Sequence, residues 1–343
     1  MTTRLTQREN GAEMETVLIT GGAGFIGSSC ASRLLQENCD VVILDSFETT
    51  LYEPASKRRN LDWLRLAGEY DLVEGDVRCP KTLRSIFEDH DIDAVLHFAA
   101  VAGVRPSIEK APYYFDINVT GTSRLMEIAR ESGVERFYLA SSSSVYGGNE
   151  KTPFSETDPV EDPISPYAAS KRSMELLART FHNLYGGEVI CLRFFTVYGP
   201  RQRPGMAIHK FMRILDEGGT IPMFGDGSSG RDYTYISDIV DGVMASMYDR
   251  TKGREAPGEQ RDGSFRIYNL GGDEVIRLHE LISAIGETVG TEPDIEQLPE
   301  QPGDVEITNA DVTRARQELG YEPQVSLREG LEKMWEWYHS RRK

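Results

Sequence analysis

The chain has 343 residues, with 38 Lys and Arg against 55 Asp and Glu, and a formal net charge of -17. That balance excludes broad nucleic-acid binding, which needs a basic footprint, but leaves room for an anionic small molecule held by a few local arginines. No apolar run approaches the ~18 residues of a membrane span, and Cys30, Cys39, Cys79 and Cys191 have neither zinc nor disulfide spacing, so reduced thiols in a cytoplasmic protein are expected.

The polar segment 1–13 lacks the apolar core of a signal peptide and is expected to be a disordered extension. Residues 16–20 form a short β-branched apolar run, the pattern of a buried strand. It runs into Gly21-Gly22-Ala23-Gly24-Phe25-Ile26-Gly27 and then a helical stretch over 28–37. Strand, glycine turn and helix are the context a dinucleotide fingerprint needs. Glycines let the backbone approach a pyrophosphate, whose charge then sits at the helix N-terminus. A second strand, 41–44, ends at Asp45-Ser46. An acid there accepts hydrogen bonds from adenosine ribose hydroxyls and repels a 2′-phosphate, which predicts NAD rather than NADP. Arg58 and Arg59 lie near enough in sequence to offer such a phosphate a counter-charge.

A third strand, 70–73, leads to Gly75-Asp76-Val77, an acid and an apolar residue placed to meet an adenine. A fourth, 94–98, ends at Phe98 and leads to Ala99-Ala100, small enough for backbone to lie against a cofactor. A long helix is expected over 107–131, with Asn118 either a cofactor contact or a helix-surface asparagine. The fifth strand, 136–140, ends in Ser141-Ser142-Ser143-Ser144. Four hydroxyls are expensive to bury without work to do, and ligands of open parallel sheets bind at that end of the strands.

The next helix opens with Pro166-Tyr167-Ala168-Ala169-Ser170-Lys171. Tyr167 and Lys171 lie one turn apart on one face. The lysine charge lowers the pKa of a phenol, so the tyrosine can shuttle a proton near neutral pH. Such a pair is common by chance and gains weight here from the glycine turn before it. Met174, Leu177, Phe181 and Leu184 recur at helical spacing and predict a buried or subunit-facing stripe. With the 107–131 helix it predicts a homodimer joined by a four-helix bundle.

In the second half, a strand over 189–194 ends at Phe194, a helix is expected over 209–217, Ser237 or Asp238 is the expected N-cap of another, and 265–269 reads as a strand. Ser326 with Glu329 forms a capping box before a helix whose Leu327, Leu331, Met334 and Trp335 make a core face. The expected fold is α/β: a Rossmann-type doubly wound parallel sheet over 14–195, with 237–270 partly returning to it, and a smaller C-terminal α/β substrate lobe over 196–343. Arg231 has the guanidinium that suits phosphate. Met223 and Phe224 read equally as a platform for a uracil ring or as core.

The glycine turn from Gly21, Asp45, Asp76, Ser142 and Tyr167-x-x-x-Lys171, in that order, resemble the extended short-chain dehydrogenase/reductase family and, within it, the nucleotide-sugar epimerases. The resemblance runs from about residue 16 to the C-terminus. It implies that Tyr167 takes a proton from a sugar hydroxyl as hydride passes to a nicotinamide, that Ser142 binds the reacting oxygen, and that Lys171 holds the nicotinamide ribose. It implies NAD contacts at Gly21, Gly24, Phe25, Ile26, Gly27, Asp45, Ser46, Asp76, Val77, Phe98, Ala99, Ala100, Asn118, Ser141, Tyr167, Lys171 and Phe194. Residues 193–200 with Arg203-Pro-Gly-Met-Ala, 102–107, 141–147 and Gln301-Pro-Gly-Asp-Val are similar to UDP-glucuronate 4-epimerases. UDP-glucose 4-epimerases usually carry Asn where Thr196 stands and Arg where Gln301 stands.

On that likeness, Thr196 and Arg203 meet the sugar C5 carboxylate, Arg231 meets the diphosphate, and Arg105 meets either. Ala102, Gly103, Ser142, Ser143, Ser144, Tyr167, Ala207, Phe211, Met223, Phe224 and Asp304 complete the implied substrate set, and no metal is implied. One departure is Gly205, where the glucuronate enzymes usually have Asp. The implied reaction is C4 epimerisation of UDP-glucuronate to UDP-galacturonate, with UDP-glucose or a UDP-pentose as alternative substrate. Dehydratases and decarboxylases of the family usually carry an acid at 143 or 144, where this chain has serine. A non-catalytic NAD-binding protein is the remote alternative on the same fold.

Overall fold

The computed structural model describes residues 15–248, 264–299 and 305–340; the segment 1–13, Gln301 and Asp304 lie outside the described residues. Among the described residues twelve strands follow in chain order: β1 Thr16–Thr20, β2 Asp40–Asp45, β3 Asp71–Glu74, β4 Ala94–His97, β5 Arg136–Ser142, β6 Glu188–Phe194, β7 Thr196–Tyr198, β8 Ile221–Phe224, β9 Gly230–Tyr235, β10 Phe265–Leu270, β11 Val275–Arg277 and β12 Ile295–Leu298. Seven make one sheet in the order β10-β6-β5-β4-β1-β2-β3, with every pairing parallel.

Parallel strands need crossovers, and the crossover helices cover both sheet faces, so the central strands read as continuous apolar runs. Strand periodicity then sorts neighbours to opposite layers. Val17, Ile19 and Ile43 pack with Leu34 on one face, while Leu18, Val42 and Leu44 pack with Leu125 and Met126 on the other. Strand order reverses between β1 and β4, which leaves a crevice at the carboxyl ends of these strands. A second layer group is built from β11-β9-β7 and β12-β8, backed by the helices Ala207–Asp216, Leu278–Val289 and Leu327–Ser340.

Several local expectations are corrected. The 107–131 helix is four pieces: Val104–Glu109, Ala111–Phe115, a π-helical turn Asp116–Gly121, and Thr122–Glu131. Pro112, at the start of the second piece, has no N–H to continue the first. The wide π turn places Asn118 inward, 1% exposed, rather than on the helix surface. The helix Ile236–Met247 has Tyr235 at its cap position. Neither Ser237 nor Asp238 is its cap, and Asp238 instead accepts the Val325 N–H at 3.1 Å. Half of the box at Ser326 forms, with Oγ accepting the Glu329 N–H at 3.3 Å, while the Glu329 carboxylate pairs with Lys333 one turn on. The stripe on the helix Pro166–Tyr185 splits: Met174 and Phe181 are buried, Leu177 is half-buried and Leu184 is 66% exposed. Strand β5 runs through Ser142, so two of the four serines are strand residues.

Among the described residues no helix is long and apolar enough to cross a membrane. Among them, too, no group of His, Cys, Asp and Glu could hold a metal.

Candidate active site

A cavity of about 500 Å³ runs along the carboxyl ends of β1, β2, β4, β5 and β6, walled on its far side by residues of the 194–206 segment. The glycine turn forms its floor. Gly21 has φ +70, and a Cβ there would sit 2.7 Å from the Ala99 nitrogen; one on Gly27 would sit 2.5 Å from the Gly21 oxygen. Gly24 stands at the N-cap of the helix Phe25–Gln36, with no side-chain cap and no acid in the first turn. The first N–H groups are therefore left for an anionic ligand.

Asp45 lies at the β2 end of the cavity. It accepts the Ala23 N–H (3.2 Å) and the Phe47 N–H (2.8 Å), and pairs with Lys57 Nζ at 2.9 Å. Oδ1 already accepts two bonds, from Phe47 and Lys57, while Oδ2 accepts one and can take a ribose hydroxyl. Arg58 and Arg59 turn away: Arg58 forks onto Glu74 at 3.0 and 3.1 Å, and Arg59 bonds Ser56. Asp76 and Val77 also line the cavity. Hydrogen bonds from the Arg78 guanidinium hold the Asp76 carboxyl below its usual range.

At the other end stand Ser142, Tyr167 and Lys171. Ser165 accepts the Ala168 N–H at 3.1 Å and Pro166 occupies the first turn, so the helix starts at a defined residue. Tyr167 and Lys171 thereby face the cavity from successive turns, both buried. The Tyr167 N–H donates to Ser107 Oγ at 3.1 Å. Burial raises the Tyr167 pKa, and a hydrogen bond with Ser142 opposes the rise. Lys171 donates to the Ala140 carbonyl at 2.7 Å, and burial pushes its pKa down to about 8. A phenol and an amine so placed are equipped to pass a proton.

Of the residues expected to meet a cofactor, all but Asn118 line this cavity. Asn118 sits one layer behind. Its Oδ1 accepts the Val101 N–H (2.9 Å), and its Nδ2 donates to the Val101 carbonyl and Ser170 Oγ, both at 3.0 Å. It ties the loop after β4 to the tyrosine helix. Of the substrate set, Ala102, Gly103, Ser142, Ser143, Ser144, Tyr167, Thr196 and Arg203 line the cavity. Arg105, Ala207, Phe211, Met223, Phe224 and Arg231 lie beyond its walls. Arg105 stacks over Phe224 at 5.0 Å, Phe211 is core, and Arg231 donates to the carbonyls of Gly230 and Glu306. Arg203 is half-buried, with its Nη1 3.4 Å from the Ala102 carbonyl; desolvation lowers its pKa, and the phenols of Tyr167, Tyr52 and Tyr114 oppose that.

Sequence reasoning missed Glu48, Leu51, Tyr52 and Lys57, which follow β2 and line the same cavity. It also missed Gln202. Gln202 Nε2 must face the Val197 carbonyl, to which it donates at 2.8 Å, and this leaves Oε1 as a buried acceptor with no donor among the described residues. A polar residue in 196–206 at a position not matched to the glucuronate motif was the only signal available.

A parallel sheet with a glycine turn, an acid ending the second strand and a Tyr-x-x-x-Lys helix over one cavity define an extended short-chain dehydrogenase/reductase. The family described as GDP-mannose 4,6 dehydratase matches residues 18–334, and the chain belongs to it. A UDP-glucuronate 4-epimerase of Thermodesulfobacterium geofontis is 38% identical over 321 residues, covering 93% of this chain and 95% of that protein. Among solved structures, the Bacillus cereus UDP-glucuronic acid 4-epimerase in complex with UDP-glucuronic acid and NAD superposes with a TM-score of 0.85 at 32% identity, over 95% of this chain and 99% of that one. Thermotoga maritima UDP-glucose 4-epimerase with UDP-glucose gives 0.83 at 30% identity, over 96% and 100%.

Proposed function

We propose that the protein is an NAD-dependent UDP-sugar 4-epimerase whose substrate is UDP-glucuronate and whose product is UDP-galacturonate. The observation that carries this reading is the meeting of Ser142, Tyr167 and Lys171 with Thr196 and Arg203 in the cavity that the glycine turn floors. The glycine turn and free helix end would hold the pyrophosphate of NAD, Asp45 its adenosine ribose, and Lys171 its second ribose. When bound, NAD supplies the hydride acceptor and donor for C4. Tyr167 takes the C4 hydroxyl proton and later returns one, Ser142 orients the reacting oxygen, and the Lys171 charge favours the phenolate. The 4-keto sugar turns in the cavity before it is reduced from the opposite face.

For a uronic acid that intermediate is a β-keto acid, which loses CO₂ readily. Thr196 and Arg203 hold the carboxylate out of the orientation that favours this loss. Serine at 143 and 144 leaves that wall without the acid that dehydratases of the family use, which favours epimerisation over elimination.

NMR of the products from UDP-glucuronate, and separately from UDP-glucose, without added cofactor, tests the assignment. UDP-galacturonate is expected from the first; turnover of UDP-glucose alone would falsify the choice of sugar. In the same assay Thr196→Ala raises the ratio of 4-keto-pentose to epimer, and an unchanged ratio removes Thr196 from this role.

The working unit is a homodimer. Leu176, Leu184 and Tyr185 are 53%, 66% and 56% exposed on the tyrosine helix, and Arg130 of the neighbouring helix stacks on Tyr185 at 4.5 Å. Leu184→Glu is expected to halve the mass measured by light scattering. A parent protein that already has monomer mass contradicts the dimer. The four cysteines are free, which fits a reducing cytoplasm.

A further inference from the structure

The serine turn and the tyrosine helix share one buried ion pair. Glu175 follows Lys171 by one helical turn and Tyr167 by two, on the same face. It meets Arg193 of β6, and each residue is 1% exposed. The guanidinium forks onto the carboxylate, Nε to Oε1 at 2.8 Å and Nη2 to Oε2 at 2.9 Å. Ser141 Oγ donates to Oε1 at 2.7 Å, and Arg172 to Oε2 at 3.2 Å. On the far side, Arg193 Nη1 donates to the Tyr146 hydroxyl at 2.9 Å, and that hydroxyl donates to Asn269 Oδ1 at 2.7 Å. Both ends of the 141–146 turn are therefore tied to one carboxylate–guanidinium fork. Lys171, bonded to the Ala140 carbonyl, ties the residue just before it.

Burying two charges is costly, and apolar residues of similar volume often stabilise a core as well or better. Met174, Ala178 and Phe181 already dock this helix onto the sheet. Neither Glu175 nor Arg193 lines the cavity. What distinguishes the pair is its position, between the turn that carries Ser142 and the helix that carries Tyr167 and Lys171.

We propose that the Glu175–Arg193 pair is a positioning device for proton transfer: it fixes the Ser142 hydroxyl against Tyr167, and its carboxylate keeps Lys171 protonated. The proposal rests on the assignment of Ser142, Tyr167 and Lys171 as the reacting set. Among titratable groups, Cys191 on β6 and Glu175 on its own helix act on Lys171, Lys171 acts on Cys191 and on His97 of β4, and Tyr167 stands one turn before it. Burial holds His97 neutral, with its pKa pushed down to about 3. Burial also raises the Cys191 thiol well above its usual range. The Glu175 carboxylate opposes the burial that drives the Lys171 pKa down.

The test measures kcat, KM and the pH profile of kcat/KM on the NAD-loaded enzyme with UDP-glucuronate, with a thermal melt alongside. The double variant Glu175→Gln with Arg193→Met removes both charges together, so neither is left buried alone. Its kcat is expected to fall about 10- to 100-fold, the scale of a small misplacement of reacting groups. KM should stay close to the parent value, and the limb set by Lys171 should move to lower pH. Glu175→Asp, which keeps the charge but shortens the reach, should lower kcat and leave that limb in place. An active double variant with the parent's kcat and limb overturns the proposal, as does one that loses activity only in proportion to its folded fraction. If the double variant does not fold, a Glu175→Asp enzyme with full kcat overturns the proposal by itself. A parent enzyme that does not epimerise any UDP-sugar strikes the assignment of the reacting set instead.

Discussion

Tyr167→Phe is expected to lower kcat for epimerisation by about 10²- to 10⁴-fold, the contribution of a positioned acid–base group. The substitution removes one oxygen and little else. The ring keeps its burial and its edge contact with Tyr114, with centroids 6.2 Å apart. The helix keeps the Ser165 cap and the bond from the residue 167 N–H to Ser107. The variant should therefore fold, retain NAD and bind substrate with a KM near the parent's, so the loss appears in kcat. Initial rates by NMR or coupled assay decide it, and a variant with more than a tenth of parental kcat refutes the proton-transfer role.

The same geometry sets the pH dependence of the parent. As pH rises past about 8, the value to which burial lowers Lys171 in the ligand-free protein, the cation beside the phenol is lost. As pH falls, the phenol, raised by burial, keeps its proton and cannot act as base. Because the phenol stands above its usual range and Lys171 below, the phenolate gained above about pH 8 offsets the cation lost, so kcat/KM should rise to about pH 8 and then level off, and Tyr167→Phe should abolish that rise.

The second large effect is expected at Gly27→Ala. A Cβ at this position would lie 2.5 Å from the Gly21 oxygen and 2.9 Å from the Gly22 Cα, both backbone atoms of the turn. No rotamer change relieves a clash with backbone, so the turn must move. Overpacking of this kind costs about 1–3 kcal/mol, which is about 5- to 150-fold in NAD affinity if the strain falls on the binding geometry. The sheet does not depend on this contact, and the circular dichroism spectrum should match the parent's. Nucleotide released by denaturing the purified, dialysed variant reports the outcome. Stoichiometric NAD in that sample contradicts the placement of the pyrophosphate on this turn.

Loss of Tyr167 is expected to leave NAD in place, whereas loss of Gly27 is expected to leave Tyr167 and Lys171 undisturbed but empty the site. The two variants thus separate the two ends of the cavity. Excess NAD should restore activity to the Gly27 variant and not to the Tyr167 variant.

Much of this site was legible in the sequence because its signals are local. A β-branched run followed by a glycine turn and a helix specifies strand, turn and helix within about 20 residues. Pro166 after Ser165 sets where a helix starts, and a four-residue interval then puts Tyr167 and Lys171 on one face. These features need no knowledge of what packs beside them. The same is true of Asp45 and the serines, because the carboxyl ends of parallel strands are where such sheets bind ligands.

What tertiary structure alone decided depends on segments far apart in the chain. Asn118 had no sequence signal for a π turn, and its inward position follows from bonds to Val101 and Ser170. Lys57 and Tyr52 joined the cavity because the segment after β2 folds back over it, and Arg231 left it because neighbouring carbonyls hold its guanidinium. The Glu175–Arg193 pair required β6 to lie beside β5, under the serine turn. Periodicity and turn chemistry act over a few residues, so the sequence by itself determined the dinucleotide turn and the Tyr167–Lys171 face. Which charges meet in the interior is a property of strand order, and only the assembled sheet decided it.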